Sequence, residues 1–234
     1  MLPFFDQDHL DLRPRARGWV EERLFSIRDQ NITVEQRGVQ LVKELGAAGF
    51  LKYTVPREFG GMRAAVQARD LCILREEIAR GEALADTMFA MQALGSYPIT
   101  LAGSESQKRG HLPKGADGAA TAAFALTEPE AGSDAASMQT RAFRQGNDFS
   151  LTGTKCFISN AGIADFYLVF ASTEPEKKAK GVSAFVIGAS APGMVVKEQI
   201  EMLSPHPIGV IEFDNCIVGE PALLGKERAG LQIA

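Results

Sequence analysis

The chain has 234 residues, 45% of them hydrophobic and 23% charged, with a formal net charge of −4 at pH 7. That length buries one large core or two modest ones. The mildly acidic balance speaks against a nucleic-acid partner, and no apolar run approaches the length of a membrane span. The start, Met1 to Asp8, lacks the basic opening and apolar centre of a secretory signal and is acidic early, unlike an Arg-rich transit peptide. The expectation is a cytoplasmic protein, or a mature organellar one.

In chain order, the first half reads helical. Asp6 to Ile27 carries Leu10, Trp19, Val20, Leu24 and Ile27 at helix-compatible spacing among charges. Asn31 to Leu45 repeats the pattern and runs into Gly46 and Gly49. A breaker-rich loop follows, Val55-Pro56-Arg57-Glu58-Phe59-Gly60-Gly61. Val66 to Arg80 places Leu71, Leu74 and Ile78 on one helical face, and Leu84 to Leu101 is a further, Ala- and Met-rich helix. Ser104-Glu105-Ser106-Gln107 has the form of an N-terminal cap on a short helix that stops near Pro113. Glu76 and Glu77 read as solvated or weakly bridged surface carboxylates.

From about Ala119 the texture changes to short β-branched and aromatic runs separated by Gly, Asn and Asp turns. These are Phe149 to Gly153, Lys155 to Ser159, Phe166 to Phe170, Val182 to Ile187 and Val210 to Phe213. Gly146-Asn147-Asp148 fits a hairpin turn, and Thr173 to Gly181, with Lys177, Lys178 and Lys180, a solvated loop. The predicted fold class is α+β. An all-α domain over 1–118 precedes a compact β-barrel or sandwich domain over 119–225, and 226–234 begins a C-terminal helix. Ending inside a probable amphipathic helix suggests an artificial boundary or a split gene.

Cys72, Cys156 and Cys216 are widely spaced and odd in number, so reduced structural thiols are expected. His9, His111 and His206 have no metal-ligand spacing with each other or with the cysteines, so no metal site is expected. No G-x-S-x-G elbow is present, which argues against a serine hydrolase.

The most informative stretch is Phe124 to Asp134. A strand-like run from Thr121 to Leu126 stops at Thr127-Glu128-Pro129, where proline removes a donor, and opens into Ala131-Gly132-Ser133-Asp134. Glycine, a hydroxyl and free amides together suit a polar or phosphate group. Taken alone, Phe124, Leu126 and Phe157 would be core filling, and Thr127 and Ser159 locally satisfied hydroxyls. Glu128 and Asp134 read as structural carboxylates holding the turn through backbone amides.

This string, with Val55 to Gly61, Glu76 to Arg80, Gly103-Ser104 with Gln107-Lys108, Gly153 to Asn160, Phe213-Asp214 and Leu224-Gly225 in the same order, resembles the acyl-CoA dehydrogenase family. The resemblance implies an FAD-dependent oxidoreductase that introduces an α,β double bond into an acyl-CoA thioester. Under it, Phe124 and Leu126 meet the flavin ring through backbone groups, and Thr127 bonds its pyrimidine edge. Gly132 and Ser133 contact the pyrophosphate, Phe157 packs on the ring, and Ser159 hydrogen-bonds near N5, the hydride-accepting atom.

Ser133 and His206 are the candidate substrate contacts. Met202 to Gly209 departs from the family's Gly-x-Arg loop, and His206 there is read as either a group at the acyl entrance or a surface histidine. The resemblance also places the glutamate base in a C-terminal helical domain beyond residue 234. This chain then reads as an incomplete fragment or subunit, inactive alone, with an apolar surface left exposed. The implied partners are an electron-transfer flavoprotein or similar acceptor, further copies in a homo-oligomer, or a separate C-terminal subunit. Two other readings stay open: a flavin monooxygenase on the same scaffold, and a non-catalytic acyl-thioester-binding or interaction module.

Overall fold

A computed structural model describes residues 4–28 and 31–234; the leading Met1 to Pro3 of the N-terminal reading lie outside the described residues. The helices α1 (Gln7–Trp19), α2 (Phe25–Arg28), α3 (Val34–Ala47), α4 (Ala68–Gly81), α5 (Ala83–Ala102) and α6 (Glu105–Ala116) come first. A wider π turn, Val20–Leu24, joins α1 to α2, so the Asp6–Ile27 helix of the sequence is present but locally underwound. Among the described residues no helix is long and apolar enough to cross a membrane.

The expected cap at Ser104 forms. Its hydroxyl accepts from the Gln107 amide at 3.2 Å, and the Gln107 side chain accepts from the Ser104 amide at 2.9 Å. The Gln107 side-chain Nε2 donates to the carbonyls of Pro221 and Leu223, tying α6 to the far end of the chain. Contrary to expectation, α6 passes through Pro113 and ends at Ala116. Proline there forfeits one donor near the helix end, and its own carbonyl is taken by the Asp117 amide at 3.0 Å.

Eight strands follow in one curved sheet of order β6-β7-β3-β2-β4-β5-β8, with β1 (Ala122–Ala125) paired parallel to β4 (Phe166–Ser172). The others are β2 (Arg141–Gln145), β3 (Asp148–Ser159), β5 (Val182–Gly188), β6 (Met194–Gln199), β7 (Ile208–Val218) and β8 (Leu223–Leu224). The short helix α7 (Gly230–Ile233) closes the chain. Every residue of β4 is buried because both its faces are covered. Phe166, Leu168 and Phe170 pack toward α5 and α6, while Tyr167, Val169 and Ala171 fill the concave side with Phe149, Leu151, Phe185 and Phe213.

Two strand expectations are corrected. Phe149 to Gly153 and Lys155 to Ser159 are one continuous strand, β3, because Gly153 takes φ +150 and carries the ladder across an irregularity. The edge strand β6 escaped the sequence reading because only Met194 of its six residues is buried, so it shows no apolar alternation. The Gly146 hairpin joins β2 and β3 as expected. The helix α5 leaves Leu94, Tyr97 and Leu101 exposed on one face, 43%, 43% and 55% respectively.

Glu77 also departs from the sequence reading. Its carboxylate is fully covered and accepts from Arg17 at 2.9 and 3.0 Å, Arg80 at 2.8 Å and Arg13 at 2.9 Å. Arg13 also reaches exposed Glu76 at 2.8 Å. Hydrogen bonds from Arg17, with those from Arg80 and Arg13, outweigh burial and hold the Glu77 carboxyl at about 2. Because folding lowers this pKa, the stabilisation is complete above the ordinary value of 4.5 and is lost as the pH falls toward about 2. In urea titrations, the stability gap between the wild-type chain and Glu77→Gln is therefore widest above pH 4.5 and closes as the pH approaches 2. A gap independent of pH would show that the arginine cage does not depend on charge.

Candidate active site

The site is built where β1 runs out against the middle of β3. Thr127 turns its carbonyl back onto the Cys156 amide at 3.0 Å, and a tight turn closes between Glu128 and Ala131 through paired amide–carbonyl bonds. Beneath the turn lies a buried ion pair. Lys155 Nζ donates to Glu128 Oε1 at 2.7 Å and to the Leu126 carbonyl at 3.0 Å, with both side chains at most 2% exposed. Glu128 also accepts from the amides of Gln139 and Thr140. One carboxylate thus pins both ends of the 127–139 loop.

Burial pushes the Lys155 ammonium down from its ordinary range, with the Glu128 charge opposing. Burial alone would raise Glu128, but the Lys155 charge and the amide bonds outweigh it and hold the carboxyl low. Glu128 therefore has the structural role expected of it. Asp134 differs from expectation: its carboxylate accepts from the Ser137 hydroxyl at 2.6 Å and, among the described residues, from no backbone amide. Lys155 was missed as a site residue, although a lysine inside an otherwise apolar and aromatic run is a signal for a buried partner.

Above this pair the loop and β3 present their functional groups outward. The Thr127 and Ser133 hydroxyls have no hydrogen-bond partner among the described residues. At Gly132 a side chain would meet no atom within 4 Å, so the loop is open to a ligand there. Phe157 is 62% exposed and sits at φ +55, a left-handed conformation that a bulky residue rarely adopts. A register shift between Lys155 and Ile158 throws this ring out while its neighbours turn in.

On the other side, Phe124 and Leu126 floor an apolar cavity of about 560 Å³ walled by Leu71 of α4 and by Leu94, Tyr97 and Pro98 of α5. Ile233 and Ala234 also line it, and none of the described residues lining it carries a side-chain carboxylate. Ser159, at the end of β3, lies 3.4 Å from Nε2 of the half-buried His206. Phe124 and Leu126 thus share the cavity, the Thr127 carbonyl bonds the Cys156 amide next to Phe157, and Ser159 meets His206 two residues further along β3. Ser133 stands on the exposed turn and shares no hydrogen bond with His206 among the described residues. The described residues hold no group of three or more His, Cys, Asp or Glu side chains able to bind a metal ion.

An outward aromatic, unpartnered hydroxyls on an open loop and an apolar cavity make up a concave, mostly apolar site with a few polar groups, the class of site that takes a small molecule. Residues 6–119 match the family description "acyl-CoA dehydrogenase, N-terminal domain" and residues 123–216 match "acyl-CoA dehydrogenase, middle domain". The chain belongs to the acyl-CoA dehydrogenase family. It is 35% identical over 231 residues to an acyl-CoA dehydrogenase of Bacillus subtilis (strain 168), a match covering 97% of this chain and 60% of that protein. Butyryl-CoA dehydrogenase from Megasphaera elsdenii superposes with a TM-score of 0.88 at 28% identity, over all of this chain and 62% of that one. A glutaryl-CoA dehydrogenase from Mycobacterium smegmatis, solved in complex with FADH2, gives 0.84 at 30% identity, over 98% of this chain and 58% of that one. The chain thus spans about 60% of the length of the curated relatives it matches.

The buried pair generates a test. Lys155→Met strands the Glu128 charge and is expected to cost about 3–5 kcal/mol in chemical unfolding. Adding Glu128→Gln to that variant restores part of the loss, because the amide oxygen still accepts from the loop without a buried charge. A double variant no more stable than Lys155→Met would overturn the stranded-charge account.

Proposed function

We propose that this chain forms the flavin-ring half of a site for FAD-dependent oxidation of acyl-CoA thioesters to their α,β-unsaturated products. The observation that carries the reading is the outward Phe157 in its left-handed conformation, next to Cys156 whose amide bonds the Thr127 carbonyl, with Phe124 and Leu126 just before Thr127 lining the apolar cavity. The residues present fit the cofactor: an aromatic face for a planar ring, hydroxyls for its polar edge, and an open glycine turn for phosphate. We assign 1–118 to an N-terminal helical domain, 119–225 to a flavin-binding β domain and 226–234 to the start of a further helical domain.

When bound, FAD supplies the hydride acceptor. Phe157 stacks on the ring and orients it, Thr127 bonds its polar edge, and Phe124 and Leu126 support it from the end of β1. Gly132 and Ser133 hold the pyrophosphate, and Ser159 directs its hydroxyl at the redox-active nitrogen. The apolar walls from α4 and α5 exclude water from the acyl chain, with Ser133 and His206 on the substrate side. None of the described residues lining the cavity carries a side-chain carboxylate, and the proton-abstracting glutamate is assigned to sequence beyond residue 234 or to a separate subunit. The exposed Leu94, Tyr97 and Leu101 of α5 suit such a helical complement or further copies of the chain. The electron acceptor is of the electron-transfer-flavoprotein type.

Titration of the purified chain with FAD, read by flavin fluorescence, is expected to show weak saturable binding. Anaerobic acyl-CoA should then leave the flavin colour unchanged. Turnover by the isolated chain would overturn the missing-base assignment, and acyl-CoA binding without any flavin binding would favour a non-catalytic module. Phe157→Asn separates fold from site. Asparagine tolerates the left-handed backbone, so the melting temperature holds or rises, while loss of the aromatic face weakens FAD binding by about tenfold.

A further inference from the structure

We propose that His206 is a positioning residue for the Ser159 hydroxyl, and that the pair biases the bound flavin toward its reduced form. The inference rests on the flavin reading above. It starts from an uncommon placement. His206 lies between Pro205 and Pro207, which stiffen the chain on either side, and its ring is half-buried with Nε2 3.4 Å from Ser159 Oγ. The other ring nitrogen, Nδ1, faces the Ser204 carbonyl at 3.3 Å.

A carbonyl only accepts, so Nδ1 carries the proton and donates to it, and in the neutral ring Nε2 is then an acceptor. The Ser159 hydroxyl donates to Nε2 and turns its oxygen lone pairs outward. Both partners stand on fixed backbone. The Asn160 amide donates to the Pro207 carbonyl at 2.7 Å, and Ile200 donates to Ile208 at 2.8 Å across the loop. Ser159 pairs with Ile208 in the β3–β7 register. Asn160 itself, at φ +65, anchors the strand end by donating its side-chain amide to the Ala122 carbonyl at 2.8 Å.

The consequence concerns the ring nitrogen that Ser159 is assigned to face. In oxidised flavin that nitrogen is an acceptor, and in reduced flavin it is an N–H donor. A hydroxyl committed to His206 offers lone pairs, so it satisfies the reduced form and leaves the oxidised form without a donor. Removing His206 frees the hydroxyl to rotate and serve either form. The histidine therefore tunes redox preference through the Ser159 hydroxyl.

Two measurements test this. In the flavin-free chain, ¹⁵N NMR of the ring is expected to show His206 as the Nδ1–H tautomer, with Nε2 shifting in Ser159→Ala. In the FAD-loaded chain, His206→Ala is expected to lower the affinity ratio of reduced over oxidised flavin by about tenfold, a fall of about 30 mV in midpoint potential. His206→Gln, which keeps an acceptor at similar reach, recovers most of that ratio. An Nε2–H tautomer, a ring signal blind to Ser159→Ala, or an unchanged potential in His206→Ala would each overturn the proposal. Failure of every variant and of the wild-type chain to bind FAD, with the NMR signature intact, would instead overturn the flavin reading and the redox role with it.

Discussion

The buried contact between Lys155 and Glu128 is the constraint on which the candidate site depends. Two charges brought out of water cost several kcal/mol each, and their mutual attraction repays this only with good geometry and further hydrogen bonds. Here the further bonds are the useful part. Glu128 collects the amides of Gln139 and Thr140, and Lys155 collects the Leu126 carbonyl. A stretch of chain with little regular structure is thereby fixed at both ends from below. Its upper surface stays free to present Thr127, Gly132 and Ser133. An apolar pair of equal volume would fill the space but would leave those backbone groups unbonded.

The same contact explains how an exposed phenylalanine is held in an unfavourable backbone conformation. Lys155 turns in toward Glu128 and Ile158 turns in toward the concave core, so a regular pleat cannot satisfy both across only two intervening residues. The ladder slips between them and Phe157 takes up the slip. Strain of this kind persists only when its surroundings over-determine it. On one side that is the ion pair, and on the other it is Asn160, whose side chain and amide lock the strand end to Ala122 and Pro207. The aromatic face is thus set by backbone on both flanks rather than by packing of its own ring.

What the sequence made legible follows from the range of each interaction. The helices, the Ser104 cap and the Gly146 hairpin are decided within a few residues, and all were readable from periodicity and turn chemistry. The Thr127–Asp134 loop was readable because proline and glycine punctuate it. Glu77 was not, since of its three arginines only Arg80 is local, and Arg13 and Arg17 lie 64 and 60 residues away on α1, brought in by the folded packing. Lys155 and Glu128 are 27 residues apart in separate motifs, with nothing local to join them. The neighbourhood of His206 and Ser159 depends on the β3–β7 register, which no alternation in a proline-rich loop reveals.

The helical and β parts of the site meet through a short and inflexible joint. Gln92 of α5 donates to the Ala120 carbonyl at 2.8 Å and accepts from the Ala122 amide at 2.7 Å, replacing a missing strand neighbour for the start of β1. Three residues along α5, a methyl at Gly95 would come within 2.4 Å of the Ala122 side chain, so the helix lies directly on the strand. Alternation then does the rest. Ala123 and Ala125 face the concave core, while Phe124 faces the helices and the cavity. One four-residue strand therefore carries the apolar wall set by α5 and the polar loop set by Glu128, leaving little freedom between them. The distance from the hydroxyls on the loop to the cavity mouth is consequently a property of β1, and the chemistry on each side can vary without moving the other.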